Sequence, residues 1–396
     1  MYAMADCSAT PTAQDRRKLL IASGSRIERD LVATAVRATY EVDFVEDGWS
    51  CLSRMEGTSY ELLVINAKLH GLSGEEVVSS LNRSGTRTCR VIMIVDRIDE
   101  ASKKLKLKKM VDDVLVRPVN PAILIGSVMD TGGAIAEKAW DLLPVKPRSV
   151  LRASKRLFDH AAANRGELAE DDVTLARRTS SAIVAAAQSG LVSDILGAVS
   201  RHDNYTFGHN VRVASLLASF SVAVGIGKDD AELLTMAGIL HDVGKMRTPL
   251  EVLHKPGRLD EHEWEVMKMH VVHSREILTR APNVRDEIVK VSERHHERLD
   301  GTGYPHGLKG AQIDDLSLIT AVADVFSALT DRRPYKLEVT HDRAFAIMRD
   351  MADSHLERPF VETFIQVVRG LDLQEHAVAA EEGGRAQALH QGEIRT

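Results

Sequence analysis

The hydrophobic period of this chain changes once, near residue 131, and that change limits the fold more than any other feature. Short apolar runs of strand length occupy residues 18–22, 42–45, 62–66, 90–95 and 114–116. Between them, residues 27–39, 48–55, 74–82 and 102–109 carry apolar positions at helical spacing. Such alternation predicts a doubly wound α/β domain with helices on both faces of a parallel sheet. Beyond residue 131 the strand signal is gone and the 3.6-residue period takes over, so the second domain is expected to be all α. The chain then divides into a disordered N-terminal tail (1–17), an α/β domain (18–130), a connector ending in helix (131–190), a helical domain (191–373) and a disordered C-terminal tail (374–396). Pro144, Pro147 and the Ala-rich stretch 173–187 define the connector.

At 396 residues the chain is too long for one core of ordinary size. Its net charge of −6 offers no diffuse basic field for long nucleic acid, so a nucleotide ligand has to be held locally. Cys7, Cys51 and Cys89 are odd in number and lack CxxC spacing, which fits a reducing compartment better than a disulfide framework. The longest apolar runs fall far short of the ~20 residues a membrane span needs, and residues 1–17 hold no signal-peptide core. A cytoplasmic protein with no membrane association is the expectation.

The chemistry concentrates in the helical part. His241-Asp242-Val243-Gly244-Lys245 closes an amphipathic helix that begins near Asp229. Adjacent His and Asp supply a neutral nitrogen and an anionic oxygen, and one carboxylate can bridge two cations. A lone His-Asp pair is ordinarily a helix cap or surface ion pair, but this one has company. His209 stands at the head of another helix, His270 and His295-His296-Glu297 follow downstream, and Asp324 lies in the apolar run 319–329. An aspartate among Ala, Val and Phe is costly to bury unless paired or metal-bound. Histidine and carboxylate ligands without thiolates suit iron, manganese or similar ions.

The series His209, His241-Asp242, His270, His295-His296 and Asp324 resembles the HD-GYP branch of the HD phosphohydrolases. The naming motif stands at residues 295–305 and ends in Gly303-Tyr304-Pro305. The resemblance covers about residues 193–373 and implies a phosphodiesterase with two divalent transition metals, iron or manganese, that hydrolyses cyclic di-GMP. It implies Asp242 as the bridging ligand, His209, His241 and Asp324 on one metal, and His270, His295 and His296 on the other. Lys245 would neutralise charge on the phosphoryl oxygens as the second catalytic residue, and Arg333 and Lys336 would contact the substrate. Glu297 is expected either to support the ligands from behind or to be structural. The family's usual aspartate three residues after Asp324 is Ser327 here, which puts the guanine contacts in doubt. Some relatives carry a glutamate four residues before the histidine equivalent to His209, where it helps hold a third metal; here that residue is Tyr205. Two metals, and linear pGpG rather than GMP as the main product, are therefore expected. The loop Gly303-Tyr304-Pro305 implies docking to diguanylate cyclase domains, with Tyr304 either packed or presented as a handle.

Residues 18–129 resemble a response-regulator receiver stripped of its chemistry. Asn66 stands at the phosphoacceptor position, Ser23 and Gly24 replace the acidic pair, Val95 the hydroxyl and Arg117 the lysine. An asparagine cannot form an acyl phosphate, and without the acidic pair little holds a divalent cation. Such a domain can still serve for docking or as a homodimer contact; Lys103, Lys104, Lys106, Lys108 and Lys109 lie on the side that receivers use for association. The principal rival to an enzyme is a non-hydrolytic cyclic di-GMP sensor or scaffold acting through protein partners. A deoxynucleotide triphosphohydrolase is opposed by the intact Gly303-Tyr304-Pro305. A mixed cyclic GMP-AMP is the alternative substrate.

Overall fold

The computed structural model describes residues 17–36, 40–85, 87, 89–96, 107, 109–119, 121–200, 202, 204–255, 257–331 and 339–371. The first unit contains β1 (Arg17–Ala22), α1 (Arg26–Val36), β2 (Tyr40–Val45), α2 (Gly48–Gly57), β3 (Leu62–Asn66), α3 (Gly74–Ser84), β4 (Arg90–Val95), β5 (Asp113–Val116) and α4 (Pro121–Ala139). Its five strands are all parallel, in the order β2-β1-β3-β4-β5. Leu20, Leu63, Ile65, Val91 and Met93 pack on one face of the sheet, and Leu19, Ile21, Leu62, Val64 and Ile92 on the other. A strand buried on both sides reads as a continuous apolar run, which is why β3 and β4 are legible without polar alternation. This strand order is the flavodoxin-like one that receivers share. Most of the expected helix 102–109, including Lys103, Lys104, Lys106 and Lys108, lies outside the described residues, as do both tails apart from Arg17.

The connector expected over 131–190 is built into the helical core instead. Helix α4 runs through residue 131 without a break. Gly133 weakens it intrinsically, but a Cβ there would come within 2.5 Å of the His202 ring, so the close approach needs glycine. Two further helices follow, α5 (Val145–Ala163) and α6 (Glu170–Gln188). Pro144 caps α5 and Pro147 lies in its first turn, where the missing N–H costs nothing. The prolines thus start a helix rather than mark a connector. Val150, Leu151, Leu157 and Ile183 share one core with Phe207, Val211, Ala237 and Leu240.

Then follow α7 (Val192–Ser200), α8 (Tyr205–Ala223), α9 (Lys228–Leu240), α10 (Leu250–Leu253), α11 (Glu261–Lys268), α12 (His270–Arg280), α13 (Asp286–Arg294), α14 (Asp315–Thr330) and α15 (His341–Met351), and residues 358–371 are also helical. A second core joins Val213, Leu217 and Phe220 of α8 to Val322 and Phe326 of α14, Phe345 of α15, and Phe364. Helix α8 therefore lies between two cores and is buried almost all round, which carries His209 to the middle of the domain. The two units meet where the Asn204 side chain donates to Asp130 Oδ1 at 3.0 Å and Tyr205 packs against the Leu124, Ile125 and Val128 cluster. No single helix among the described residues is long and apolar enough to cross a membrane.

Candidate metal centre

Five helices deliver one cluster. His209 projects from the first turns of α8, His241 caps the C-terminus of α9, and Asp242 opens the 3-10 turn Val243–Arg247. His270 begins α12, His295 caps α13 with His296 beside it, and Asp324 lies inside α14. The two oxygens of Asp242 divide the ring of imidazoles between them. Oδ2 faces His241 Nε2 at 3.3 Å and His209 Nε2 at 3.7 Å, while Oδ1 faces His270 Nε2 at 3.3 Å and His295 Nε2 at 3.9 Å. Asp324 lies 3.0 Å from His209 and 3.6 Å from His296. His209, His241 and Asp324 form one group whose donor atoms lie within 4.8 Å of one another, and His270, His295 and His296 form another. These groups coincide with the two ligand sets that the resemblance implies. Lys245 reaches back onto Asp242 Oδ2.

Helix ends explain why these imidazoles are aimed inward. The last carbonyls of a helix have no intrahelical donor. The Nδ1–H of His241 donates to Gly238 at 2.8 Å, that of His270 to Met267 at 2.7 Å, and that of His295 to Ser292 at 3.1 Å. Each bond fixes the tautomer and leaves Nε2 bare toward the centre. The Nε2 atoms of His241, His270 and His295, with Asp242 Oδ1, are buried and have no hydrogen-bond partner. Leaving buried polar atoms unpaired costs about 1–3 kcal/mol each, and a divalent metal removes that cost. The donor set therefore fits metals.

The electrostatics agree. Burial pushes His270 down to about 3 and His296 to about 4, and holds His295 well below its ordinary value. Burial opposes ionisation of Asp242, but Lys245 and the surrounding histidines keep its carboxyl well below the usual range. Neutral imidazoles beside ionised carboxylates are the state a metal requires. His209 differs: burial pushes it down, yet Asp324 and Asp331 overcome this and leave it at about 8.

Several contributors escape the sequence reading. A Cβ on Gly244 would fall 2.0 Å from the His270 carbonyl, so only glycine lets the Asp242 turn abut the start of α12. Ser274 clamps the same junction, accepting from the Gly244 N–H at 2.9 Å and donating to the His241 carbonyl at 3.0 Å. Asp331 approaches His209 Nδ1 at 3.3 Å. Only the glycine has a visible signal, its place inside His241–Lys245. Glu297 turns away from the cluster and accepts the N–H groups of His306 and Leu308 at 2.7 and 2.9 Å, holding the loop that contains Gly303, Tyr304 and Pro305. The Tyr304 ring packs on His296, with centroids 4.8 Å apart, and on Trp264 at 6.1 Å. Arg333 and Lys336 lie outside the described residues.

Comparisons with known proteins agree with this geometry. A family model described as HD domain matches residues 192–359. The chain is 40% identical over 159 residues to 3'3'-cGAMP-specific phosphodiesterase 1 of Vibrio cholerae, covering 40% of this chain but only 36% of that relative's length. It is 32% identical to the cyclic di-GMP phosphodiesterase response regulator RpfG of Xanthomonas campestris, covering 76% of this chain and 74% of the relative. A cyclic di-GMP phosphodiesterase of Thermotoga maritima is 26% identical across 95% of this chain and 98% of its own. With its helical domain matched by the HD-domain model, and a 32% identical response regulator aligned over three quarters of both chains, the chain belongs to the HD-GYP family of HD-domain phosphodiesterases.

Proposed function

We propose that this protein is a cytoplasmic, metal-dependent phosphodiesterase that opens cyclic di-GMP to linear pGpG. The observation that carries the reading is the pair of oxygens on Asp242, each facing its own set of buried imidazoles whose Nε2 atoms lack partners. Two iron or manganese ions are the metals that this donor set suits. When bound, such a pair supplies an activated water and neutralises charge on the phosphodiester. The residues then have separable tasks. His209, His241 and Asp324 would hold one cation and His270, His295 and His296 the other, with Asp242 offering one oxygen to each. Lys245, held against Asp242, offers its remaining N–H donors to phosphoryl oxygens, and Arg333 and Lys336 serve the substrate's outer groups.

Two metals rather than three are favoured by Tyr205. Its ring stacks on His209, with centroids 5.4 Å apart and planes 21° from parallel, while its body packs against the receiver-like domain. A phenol with a pKa near 10 is a poor ligand for a hard cation. One fewer cation leaves the extra terminal charge of pGpG uncompensated, so the second cleavage should be slow. A second substrate, the mixed cyclic GMP-AMP, is favoured by the 40% identity to a 3'3'-cGAMP-specific relative.

Incubating metal-loaded protein with each cyclic dinucleotide and resolving products over time tests the proposal. Rapid pGpG from cyclic di-GMP with about two metals per chain is the expected outcome. Binding without cleavage would instead identify a sensor or scaffold, and GMP formed as fast as pGpG, or three metals per chain, would overturn the two-metal reading. Docking of diguanylate cyclase domains at Gly303-Tyr304-Pro305, and homodimer formation, belong to the same proposal and are read by pull-down and sedimentation.

A further inference from the structure

His209 is oriented differently from its neighbours in the cluster. His241, His270 and His295 each give Nδ1–H to a neutral backbone carbonyl. The Nδ1 of His209 instead meets Ser327 Oγ at 3.0 Å and Asp331 Oδ2 at 3.3 Å. Ser327 Oγ in turn donates to the same Asp331 oxygen at 2.9 Å. The other Asp331 oxygen accepts from Arg212 Nη1 at 2.9 Å, and Arg212 Nη2 reaches Thr330 Oγ1 at 3.2 Å. The Asp331 backbone N–H closes the end of α14 on the Ser327 carbonyl at 2.8 Å. Asp331 is thus a buried carboxylate fixed at three points, and neither metal half counts it among its ligands.

We infer that Asp331, held by Arg212 and Ser327, is the positioning residue that tunes His209 as a metal ligand. The inference rests on His209 being a ligand. The geometry shows how the carboxylate reaches the ring. Residues 327 and 331 are four apart on α14 and its cap, so their side chains share one face, and both reach the same imidazole nitrogen. A carboxylate on Nδ1 fixes the ring, keeps its proton on the far side from the cluster, and makes Nε2 a stronger donor than a backbone carbonyl would. Ser327 bridges that carboxylate to the ring, while Arg212, one turn after His209 on α8, stops the carboxylate from swinging away.

The consequence is confined to one half of the centre. Asp331→Asn keeps shape and removes charge, and Asp331→Ala removes both. We expect cobalt(II) affinity of the His209 half to fall by about 10-fold in the first and up to about 100-fold in the second. The His270, His295 and His296 half should be unchanged, with the absorption band of one cobalt ion shifted and the other retained. The deciding variant is Ser327→Asp combined with Asp331→Ala, which returns a carboxylate to the same nitrogen from one turn earlier, in the space that the truncation frees. Recovery of affinity and of the shifted band supports positioning, because a merely structural role would not be restored by moving the charge. His209→Ala serves as the reference and must lose the same cobalt ion. If it does, while Asp331→Asn and Asp331→Ala bind both ions as the wild type does, or weaken both halves equally, the positioning role is overturned and the ligand assignment stands. If His209→Ala itself binds two ions normally, the ligand assignment is overturned, and this inference with it.

Discussion

Two polar pockets in this chain each gather carboxylates and basic side chains, and they end in opposite states. At the C-terminal ends of β1, β3 and β5, the Asn66 amide donates to Ser23 Oγ at 2.8 Å and to Glu28 Oε2 at 2.7 Å. Arg117 spans both oxygens of Glu28 at 2.6 and 3.0 Å and reaches Asp96, which also pairs with Lys68 at 2.6 Å. Burial pushes Glu28 up, but Arg117, Asn66 and Ser23 keep it ionised, below its ordinary value. A cation attached to the chain thus neutralises the carboxylates of the pocket from within. In the helical domain, donors pinned from behind leave three imidazole nitrogens and a carboxylate oxygen facing one another without partners. The first pocket matches its charges internally and leaves only the neutral Asn66 Oδ1 without a partner, which offers a cation no charge; one with several fixed, unmatched donors can be completed only by a ligand.

That contrast is broken most severely at Asp242. Asp242→Ala removes the group that both halves of the cluster share, so turnover should vanish and bound metal should fall while far-UV circular dichroism stays near wild type. Retained activity in a metal-poor variant would end the bridging assignment. Lys245→Ala is the next largest expected effect. It should keep the metals and slow turnover by about 10² to 10³, the range for removing one donor to developing charge. Metal loss in that variant would place Lys245 in the scaffold of the site instead.

Stripping the metals sharpens the comparison through pH. His270, His295 and His296 stay neutral in the folded chain because their values lie below the ordinary one. As pH falls below about 6.5, the unfolded chain takes up protons that the folded one refuses, and stability drops by up to about 1.4 kcal/mol per pH unit for each. His209 has the opposite sign. Raised to about 8, it contributes stability that is complete below about 6.5 and lost as pH rises through 8. Metal-free protein should therefore be most stable near pH 6.5–7 and fall more steeply on the acid side, whereas metal-loaded protein should be flatter above pH 7. Denaturant midpoints across pH 5–9 read this directly, and a metal-free profile that keeps rising past pH 8 would contradict the assignment for His209.

What can be read from the sequence follows from how local each signal is. Strands β3 and β4 match their apolar runs to the residue, because parallel strands buried on both faces are unbroken apolar runs bounded by polar residues. The ligand residues are visible because a metal needs particular side chains, and an aspartate inside an apolar helix is too costly to keep without a partner. The connector is misread because Pro144 and Pro147 look the same in sequence whether they interrupt a helix or start one. Only the tertiary neighbours, the core that α5 and α6 share with the helical domain, decide. Asp331 is hidden for the same reason: its partner His209 lies 122 residues away, and no local pattern links them.

The smallest expected effects lie in the self-closed pocket, where they separate a lost activity from a merely altered residue. Asn66→Ala removes a donor that serves Ser23 and Glu28, and the net cost of such hydrogen bonds is about 1 kcal/mol each. Asn66→Asp looks like a repair but should be worse. It places a second carboxylate against Glu28, where the amide now donates at 2.7 Å, and like charges at that distance cannot both ionise without penalty. The expectation is that Asn66→Asp destabilises the α/β domain more than Asn66→Ala, by about 1–3 kcal/mol relative to wild type. Neither variant should gain a phosphoryl group from acetyl phosphate, because Ser23 and Gly24 leave no acidic pair for a divalent cation. Beryllofluoride should likewise leave the phosphodiesterase rate of wild type and Asn66→Ala unchanged. Mass spectrometry of the acetyl phosphate reaction decides the point: a phosphoryl adduct on Asn66→Asp would mean that the Arg117–Glu28 pair opens readily, and that the two pockets differ in degree rather than in kind.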